Sequence, residues 1–184
     1  ELTQLKKKQE KHALARKERR RQRVRGGART VGLAGYTNAG KSSLFQALSG
    51  KEVLVEDKLF STLETTVGRM EMSPRILLAD TIGFIDELPS DLLDAFHATL
   101  DESLRCDLLL LLADSSDDAS ELKRKLSTSR REVLDRNPDE TIHMKVVLTK
   151  SDKGGDIEAA QEVVRIMGLP DAMVVSSHKG QGLD

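Results

Sequence analysis

A glycine-rich loop lies between an apolar run and a helix-forming segment of this chain, and that arrangement leaves few folds open. Residues 30–35 read TVGLAG, and residues 36–50 read YTNAGKSSLFQALSG. The junction fits the pattern G-x-x-x-x-G-K-[ST] over residues 35–42. The glycines of such a loop let backbone N–H groups curl around phosphate oxygens, and the N-terminus of the helix that follows favours negative charge. The sequence therefore predicts a strand, a phosphate-binding loop and a helix in succession.

Two side chains of this loop suit the chemistry of a bound nucleotide. We expect Lys41 to reach the β and γ phosphates and the hydroxyl of Ser42 to bind Mg²⁺. The alternative, a glycine turn with a solvated lysine, is disfavoured because the loop follows an apolar strand and opens an amphipathic helix. The loop residues that we expect to bind the nucleotide are Gly35, Tyr36, Thr37, Asn38, Ala39, Gly40, Lys41, Ser42 and Ser43.

Further apolar runs predict more strands of the same sheet. Most are continuous rather than alternating, which is typical of parallel strands covered on both faces. They are residues 75–80, 107–114, 143–150 and 172–177. Helix-forming stretches lie between them at residues 91–105, 121–136 and 157–167. Strands that alternate with helices predict an α/β fold with a doubly wound, mostly parallel sheet, which binds its ligand at the carboxyl ends of the strands.

Composition narrows the class of protein further. Aromatic residues make up only 3% of the 184 residues, so the core must be aliphatic. The single cysteine, Cys106, excludes an internal disulfide framework and a four-cysteine zinc site, and it suits a reducing compartment. The longest apolar run, residues 108–113, is too short to span a bilayer. We therefore expect a cytoplasmic protein, or one of an organelle matrix, without a membrane partner.

The run at residues 75–80 ends in a second motif, Asp80-Thr81-Ile82-Gly83. We expect the carboxylate of Asp80 to hold Mg²⁺ through a water molecule and the backbone N–H of Gly83 to meet the γ-phosphate. Thr81 and Ile82 would then line the nucleotide between them. The alternative is an aspartate that only caps a helix or a turn.

Two motifs near the C-terminus predict that the base is guanine. Thr149-Lys150-Ser151-Asp152 fits [NT]-K-x-D, with threonine where asparagine is commoner. The carboxylate of Asp152 can accept from guanine N1–H and from the 2-amino group, which adenine lacks, so GTP is favoured over ATP. Ser176-Ser177-His178 follows the last apolar run, where a backbone N–H would meet guanine O6, although a plain turn also fits this motif.

The charge of the chain is divided unevenly. Residues 1–30 hold 12 Lys and Arg against three Glu, whereas the net charge of the whole chain is -1. Good helix formers followed by two glycines predict a basic helix and then a hinge. A solvated helix is one interpretation; contact with phosphates of a folded RNA is the one that we favour. The residues expected to contact RNA are Arg16, Lys17, Arg19, Arg20, Arg21, Arg23 and Arg25.

Together these motifs resemble the HflX-type ribosome-associated GTPases, which are relatives of the Obg group. The resemblance covers residues 30–150 well, and the sequences TNAGKS and FSTL are its most distinctive parts. It rests on GYTNAGKS at 35–42, LFSTLETT at 59–66, DTIGFI at 80–85, LP at 88–89 and DAFHATLDE at 94–102. On this resemblance, residues 1–29 are a basic helical linker and residues 30–184 are a P-loop GTPase domain that lacks its last helix.

The resemblance also implies roles for a loop that the phosphate motifs do not include. Thr62 would be the switch threonine that binds Mg²⁺ with GTP, and Thr66 is the alternative ligand. Both residues also suit a surface strand. The nucleotide would be covered by Phe60, Ser61, Thr62, Leu63 and Glu64. The residues with a direct role in GTP hydrolysis would be Lys41, Thr62 and Gly83.

Two residues bear on the rate of hydrolysis. Phe84 stands where related switches carry the glutamine that orients the attacking water, and a phenyl ring cannot do so. We therefore expect slow hydrolysis of GTP that a partner accelerates; Phe84 as a core residue is a compatible interpretation. Asn38 lies where some GTPases hold a potassium ion, which makes K⁺ a candidate cofactor, although asparagine is also a common turn residue.

The function predicted from the sequence is GTP binding and hydrolysis by a protein that associates with the large ribosomal subunit and its rRNA. The resemblance implies ribosome splitting or rescue, or assembly of the large subunit. The alternative is a GTP-dependent switch that acts on a protein partner without RNA, with the basic helix as a connector. We expect a monomer with GTP or GDP and Mg²⁺ as ligands.

Overall fold

Strands and helices alternate along the computed structural model of the chain. The structure describes residues 27–51, 66–73, 75–80, 83–84, 104, 106–136 and 143–183. The strands are β1 (Arg29–Gly35), β2 (Thr66–Arg69), β3 (Ile76–Asp80), β4 (Leu108–Asp114), β5 (Met144–Thr149) and β6 (Met173–Val174). The α-helices whose bounds are described are α1 (Lys41–Ser49), α2 (Ala119–Asp135) and α3 (Ile157–Ile166). A short 3₁₀ helix spans Ser151–Lys153.

The six strands form one sheet in the order β2-β3-β1-β4-β5-β6. The pairs β1–β3, β1–β4, β4–β5 and β5–β6 are parallel, and only β2 runs antiparallel to its neighbour β3 among the described strands. The predicted α/β fold with a mostly parallel sheet is confirmed. Because β1, β4 and β5 lie side by side, the loops that follow them meet at one edge of the sheet.

The two faces of the sheet have separate aliphatic cores. Neighbouring residues of β4 show the division, since Leu111 packs with α2 and α3 whereas Leu112 packs with α1. This alternation is what a strand buried on both faces requires. The helices therefore cover both faces, as the doubly wound prediction states. None of the helices in the described part of the chain combines the length and the apolar character that crossing a membrane requires.

Aspartate side chains cap the N-termini of α2 and α3, whereas a glycine precedes α1. The side chains of Asp118 and Asp156 cap α2 and α3 by accepting hydrogen bonds from the N–H groups of Glu121 and Ala159. At α1 the cap position is Gly40, in a left-handed conformation, and no side-chain cap is formed among the described residues. The first N–H groups of α1 consequently face the phosphate loop without a competing side chain.

One predicted strand needs correction and one short strand was missed, although a surface strand was one interpretation of Thr66. The run at 172–177 is a strand only over Met173–Val174, because the backbone turns at Ser176, which exchanges hydrogen bonds with Gln181 (3.0 and 3.1 Å). The four-residue edge strand β2 was not predicted, since TVGR is too short and too polar to stand out. The basic helix lies outside the described residues, and so does the helix predicted for 91–105 apart from Leu104.

We expect Gly35 to be the least replaceable glycine of β1. Its φ is 153°, and a Cβ built on it would lie 2.4 Å from the carbonyl oxygen of Leu112 on β4. Gly35→Ala should therefore lower the free energy of unfolding by about 3 kcal/mol or more, because two paired strands must move apart. Chemical denaturation measures this loss.

Gly168→Ala is the matched control, since its φ of 68° is also positive but nothing lies within 4 Å of the added Cβ. That variant should lose about 1–2 kcal/mol from backbone strain alone. Equal losses in the two variants would contradict the steric account of Gly35.

Candidate nucleotide-binding site

The predicted phosphate loop connects the end of β1 to the start of α1. Asn38 and Gly40 adopt positive φ angles of 61° and 81°, which asparagine tolerates and glycine adopts freely. The loop therefore curls at the carboxyl edge of the sheet, and residues 35–43 lie where the sequence predicts a phosphate site. Their contacts with a nucleotide stay predictions.

Lys41 is the buried cation of this loop. Its side chain is folded back, so that Nζ donates to the carbonyl oxygens of Tyr36 (2.9 Å) and Gly35 (3.3 Å). Burial lowers the pKa of Lys41 to about 8, the carboxylate of Asp80 opposes that shift, and the cation of Lys150 adds to it. A phosphate group placed here would stabilise the charged form of Lys41, which burial disfavours.

Ser42 and Asp80 provide the oxygen ligands that Mg²⁺ prefers. The hydroxyl of Ser42 donates to Oδ2 of Asp80 across 2.8 Å, and Asp80 is completely buried at the end of β3. Two hard oxygens this close at a strand end fit a magnesium ion bound with nucleotide phosphates. The third predicted ligand, Thr62, lies outside the described residues. The alternative ligand, Thr66, begins β2 opposite Asp80 in the strand register, as a strand residue.

Gly83 and Phe84 lie directly against the phosphate loop. The N–H of Phe84 donates to the carbonyl of Gly35 (2.9 Å), and its carbonyl accepts from the N–H of Thr37 (2.7 Å). A Cβ on Gly83 would come within 2.7 Å of Lys41 Nζ and 2.9 Å of Thr37 Cα. The ring of Phe84 is buried in the core on the α2 and α3 face. The interpretation of Phe84 as a core residue is therefore confirmed, and a buried ring does not reach a water molecule.

Thr149 connects the guanine motif to the phosphate loop. Its buried Oγ1 lies 2.8 Å from the carbonyl oxygen of Ala39 in the phosphate loop and 3.1 Å from that of Ala113 on β4. A hydroxyl carries one proton, so it donates to one of these carbonyls at a time. The guanine motif and the phosphate loop are thus tied together despite the substitution.

The structure brings the two guanine motifs together. The hydroxyl of Ser176 donates to Oδ1 of Asp152 across 2.5 Å, and Nδ1 of His178 lies 4.0 Å from Oδ2. This hydrogen bond from Ser176 is the main reason that the pKa of Asp152 is lowered, which keeps the carboxylate ionised. Ser151 and Ser177 lie beside these residues in the chain. An ionised carboxylate held in one orientation is what recognition of two guanine N–H groups needs.

One side chain of the site was missed at the sequence level. Asp114 ends β4, and its Oδ2 lies 2.7 Å from Nζ of Lys150 in the guanine motif. The carboxylate at the end of a buried strand was a visible signal, but its partner is 36 residues away, directly after β5, and only the pairing of β4 with β5 brings the two side chains close.

Several predicted residues lie outside the described part of the chain, and their roles stay predictions. They are Phe60, Ser61, Thr62, Leu63, Glu64, Thr81, Ile82, Arg16, Lys17, Arg19, Arg20, Arg21, Arg23 and Arg25.

Comparison with known proteins agrees with this arrangement. A family model described as "50S ribosome-binding GTPase" matches residues 30–150. The chain belongs to this GTPase family. The matched residues begin in β1 and end at the lysine of the guanine motif. They include the phosphate loop, Asp80 and Gly83.

Curated relatives confirm the resemblance to HflX-type GTPases. The chain is 45% identical to GTPase HflX of Gluconacetobacter diazotrophicus over 150 residues, which are 80% of this chain and 32% of that protein. It is 37% identical to GTPase HflX of Thermococcus kodakarensis over 175 residues, which are 90% of this chain and 39% of that protein. The chain thus spans about a third to two fifths of the length of these relatives.

Solved structures include a similar fold. A GTP-binding protein from the hyperthermophilic archaeon Sulfolobus solfataricus, crystallised in complex with GDP, matches with a TM-score of 0.65 and 30% identity. The match covers 83% of this chain and 48% of that protein. The α/β fold of this family member is therefore that of known GTP-binding proteins.

The lowered pKa of Lys41 predicts how nucleotide binding depends on pH. Burial holds this lysine partly neutral above about pH 8, whereas bound phosphates would favour the charged form. GDP binding should therefore take up a proton above about pH 8, and the affinity should fall as the pH rises further. Calorimetry in two buffers of different ionisation enthalpy, at pH 7 and pH 9, measures the uptake.

Lys41→Arg is the control, because arginine stays charged throughout this range. Guanine N1–H also titrates in alkaline solution, and its contribution should persist in that variant while the lysine contribution disappears. Identical proton uptake by the variant and the unmodified protein would contradict the assignment to Lys41.

Proposed function

We propose that this chain is the GTP-binding and GTP-hydrolysing part of a protein that associates with the large ribosomal subunit. The observation that carries the guanine preference is the ionised carboxylate of Asp152, fixed by Ser176 at the edge of the sheet where the phosphate loop also lies. A site that reads N1–H and the 2-amino group rejects adenine, which has neither, because the carboxylate is then left without these two donors.

The phosphate side of the site supports hydrolysis with Mg²⁺. Lys41 would balance the charge of the β and γ phosphates, and Ser42 would hold Mg²⁺ beside them together with Asp80, the latter through water. The bound ion supplies stabilisation of charge on the phosphate oxygens. Thr62 is proposed to complete the metal site with GTP.

The contact between Phe84 and the phosphate loop suggests how GTP acts as a switch. Gly83 lies against Thr37 and Lys41, so a γ-phosphate held by Lys41 would contact Gly83. Its arrival would break the hydrogen bond from Thr37 to Phe84 and let the N–H of Gly83 turn to the phosphate. Loss of the γ-phosphate would restore the hydrogen bond.

The absence of a glutamine at position 84 suggests slow hydrolysis until a partner acts. A group that a partner supplies or orders is worth about 10³–10⁵ in rate for GTPases. The family description, a 50S ribosome-binding GTPase, makes the large ribosomal subunit the partner of choice. Ribosome splitting, rescue and subunit assembly are all compatible with this proposal, and so is a cytoplasmic or organelle-matrix location.

The basic helix predicted for the start of the chain is proposed to contact rRNA. Asp107 anchors the start of β1, where it accepts from the Arg29 guanidinium (3.0 Å) and from the N–H of Thr30 (2.7 Å). This start lies at the opposite end of β1 from the phosphate loop, about 20 Å away for a seven-residue strand.

The test is GTP turnover by the chain alone and with purified large ribosomal subunits, at two salt concentrations and with ATP as the control nucleotide. The subunits should stimulate GTP turnover by at least about tenfold, and the stimulation should weaken at the higher salt concentration because phosphate contacts release counterions. ATP turnover should stay unchanged.

A double variant, Arg20→Ala with Arg21→Ala, should need more subunits for half-maximal stimulation. The matched control is Lys123→Ala with Arg131→Ala, which also removes two exposed cations, from α2, and should behave as the unmodified protein. GTP binding without any stimulation would contradict the ribosomal role and favour the switch that acts on a protein partner. Equal effects of both double variants would contradict the role of the basic helix.

Potassium is proposed as an activator on the strength of Asn38 alone. Oδ1 of Asn38 lies 3.4 Å from Nζ of Lys150, so this amide oxygen already faces a cation. The same turnover assay in matched potassium chloride and sodium chloride tests the proposal, and equal rates would contradict it.

A further inference from the structure

Both oxygens of the Asp114 carboxylate have polar partners, although none of the predicted contacts with phosphate or guanine involves Asp114. Oδ1 accepts hydrogen bonds from the backbone N–H (3.0 Å) and the hydroxyl (2.6 Å) of Ser116. Oδ2 forms an ion pair with Nζ of Lys150 at 2.7 Å. The turn at Ser116 therefore fixes the carboxylate, and the carboxylate in turn fixes the lysine.

Lys150 carries this connection on to the phosphate loop. Its Nζ also donates to the backbone carbonyl of Asn38 across 2.7 Å. An ammonium group has three protons, so it can bind Asp114 and Asn38 at the same time. The backbone of Lys150 is left-handed, with a φ of 57°, which aims the side chain from the end of β5 over the loop. One lysine thus joins the ends of β4 and β5 to the middle of the phosphate loop.

The pair is shielded from water and lies beside a second cation. The side chains of Lys150 and Asp114 are 17% and 12% exposed. The positive charge of Lys150 acts on buried Lys41, which needs its own charge for the phosphates. A shielded ammonium without its carboxylate would be repelled towards solvent and would release the carbonyl of Asn38.

We propose that Asp114 is a positioning residue for guanine nucleotides. It holds Lys150 against the carbonyl of Asn38, so that the phosphate loop and the guanine motif keep their binding geometry before the nucleotide arrives. Asp114 itself touches neither the base nor the phosphates in this account. The role rests on the proposed function, because it deepens the description of the same site.

The test compares GDP affinity in Asp114→Asn and the unmodified chain. Asparagine is nearly isosteric but carries no charge, so GDP should bind about tenfold more weakly or worse, as expected for loss of a charged hydrogen bond. Asp117→Asn is the matched control. Asp117 lies in the same loop, has a similar exposure of 16% and pairs with a lysine at 2.8 Å, but that partner is Lys125 of α2. Its GDP affinity should change less than threefold.

A double-mutant cycle separates positioning of Lys150 from general support of the loop. In a Lys150→Met background, Asp114→Asn should cost less than twofold further, because its partner is already gone. The same tenfold loss in both backgrounds would overturn the proposal. So would an unchanged affinity in the single variant.

Ser116→Ala tests the same connection where Asp114→Asn fails to fold. Ser116 is exposed, and this change leaves the ion pair and the backbone hydrogen bond in place while removing one of the two hydrogen bonds to Oδ1 of Asp114. GDP should bind about threefold more weakly, and the effect should vanish in the Lys150→Met background. An effect that persists in that background would overturn the positioning role. If the unmodified chain bound no GDP, the proposed function itself would fall and the positioning role with it.

Discussion

A single buried threonine joins the three loops on which the site depends. The hydroxyl of Thr149 lies within hydrogen-bonding distance of carbonyl oxygens in the phosphate loop and at the end of β4. Its own carbonyl accepts from the N–H and the hydroxyl of Ser115, at 3.0 and 2.7 Å. Each of these groups is shielded from water, so each would lose a partner if the loops separated. The ends of β1, β4 and β5 therefore keep a fixed spacing.

Charges are distributed around this centre in two balanced pairs. Lys41 faces Asp80 on one side of the phosphate loop, and Lys150 faces Asp114 on the other. Every one of these side chains lies at, or just beyond, the end of a strand or the start of α1. The two carboxylates offset part of the desolvation cost of the two cations, although burial still lowers the pKa of Lys41 to about 8. A nucleotide would then replace carbonyl contacts of Lys41 with phosphate contacts.

Much of the fold follows from patterns within single segments. The runs that became β1, β3, β4 and β5 are continuous and aliphatic, so their burial on both faces was readable from the sequence. The edge strand β2 could not be predicted from the sequence, because what makes its four residues a strand is their pairing with β3. The turn that shortens the last strand depends on a contact between Ser176 and Gln181, which no local sequence pattern predicts.

The site shows the same division between local and distant information. The phosphate loop, Asp80 and the guanine motif carry fixed spacings, so their residues were identified correctly as neighbours of one edge. The contacts between the motifs could not be identified. Lys150 reaches Asn38 across 112 positions, and Phe84 pairs with the loop through its backbone, which has no signature in residue type. Such contacts depend on strand order and register.

The most direct test of the central claim, a guanine-specific site at this edge, is the affinity of the chain for GDP, IDP and ADP in one calorimetric series. The account predicts that GDP binds at least about 100-fold more tightly than ADP, with IDP between them because it lacks only the 2-amino group. Affinities within a factor of three for all three nucleotides would contradict it, since Asp152 would then read no part of the base.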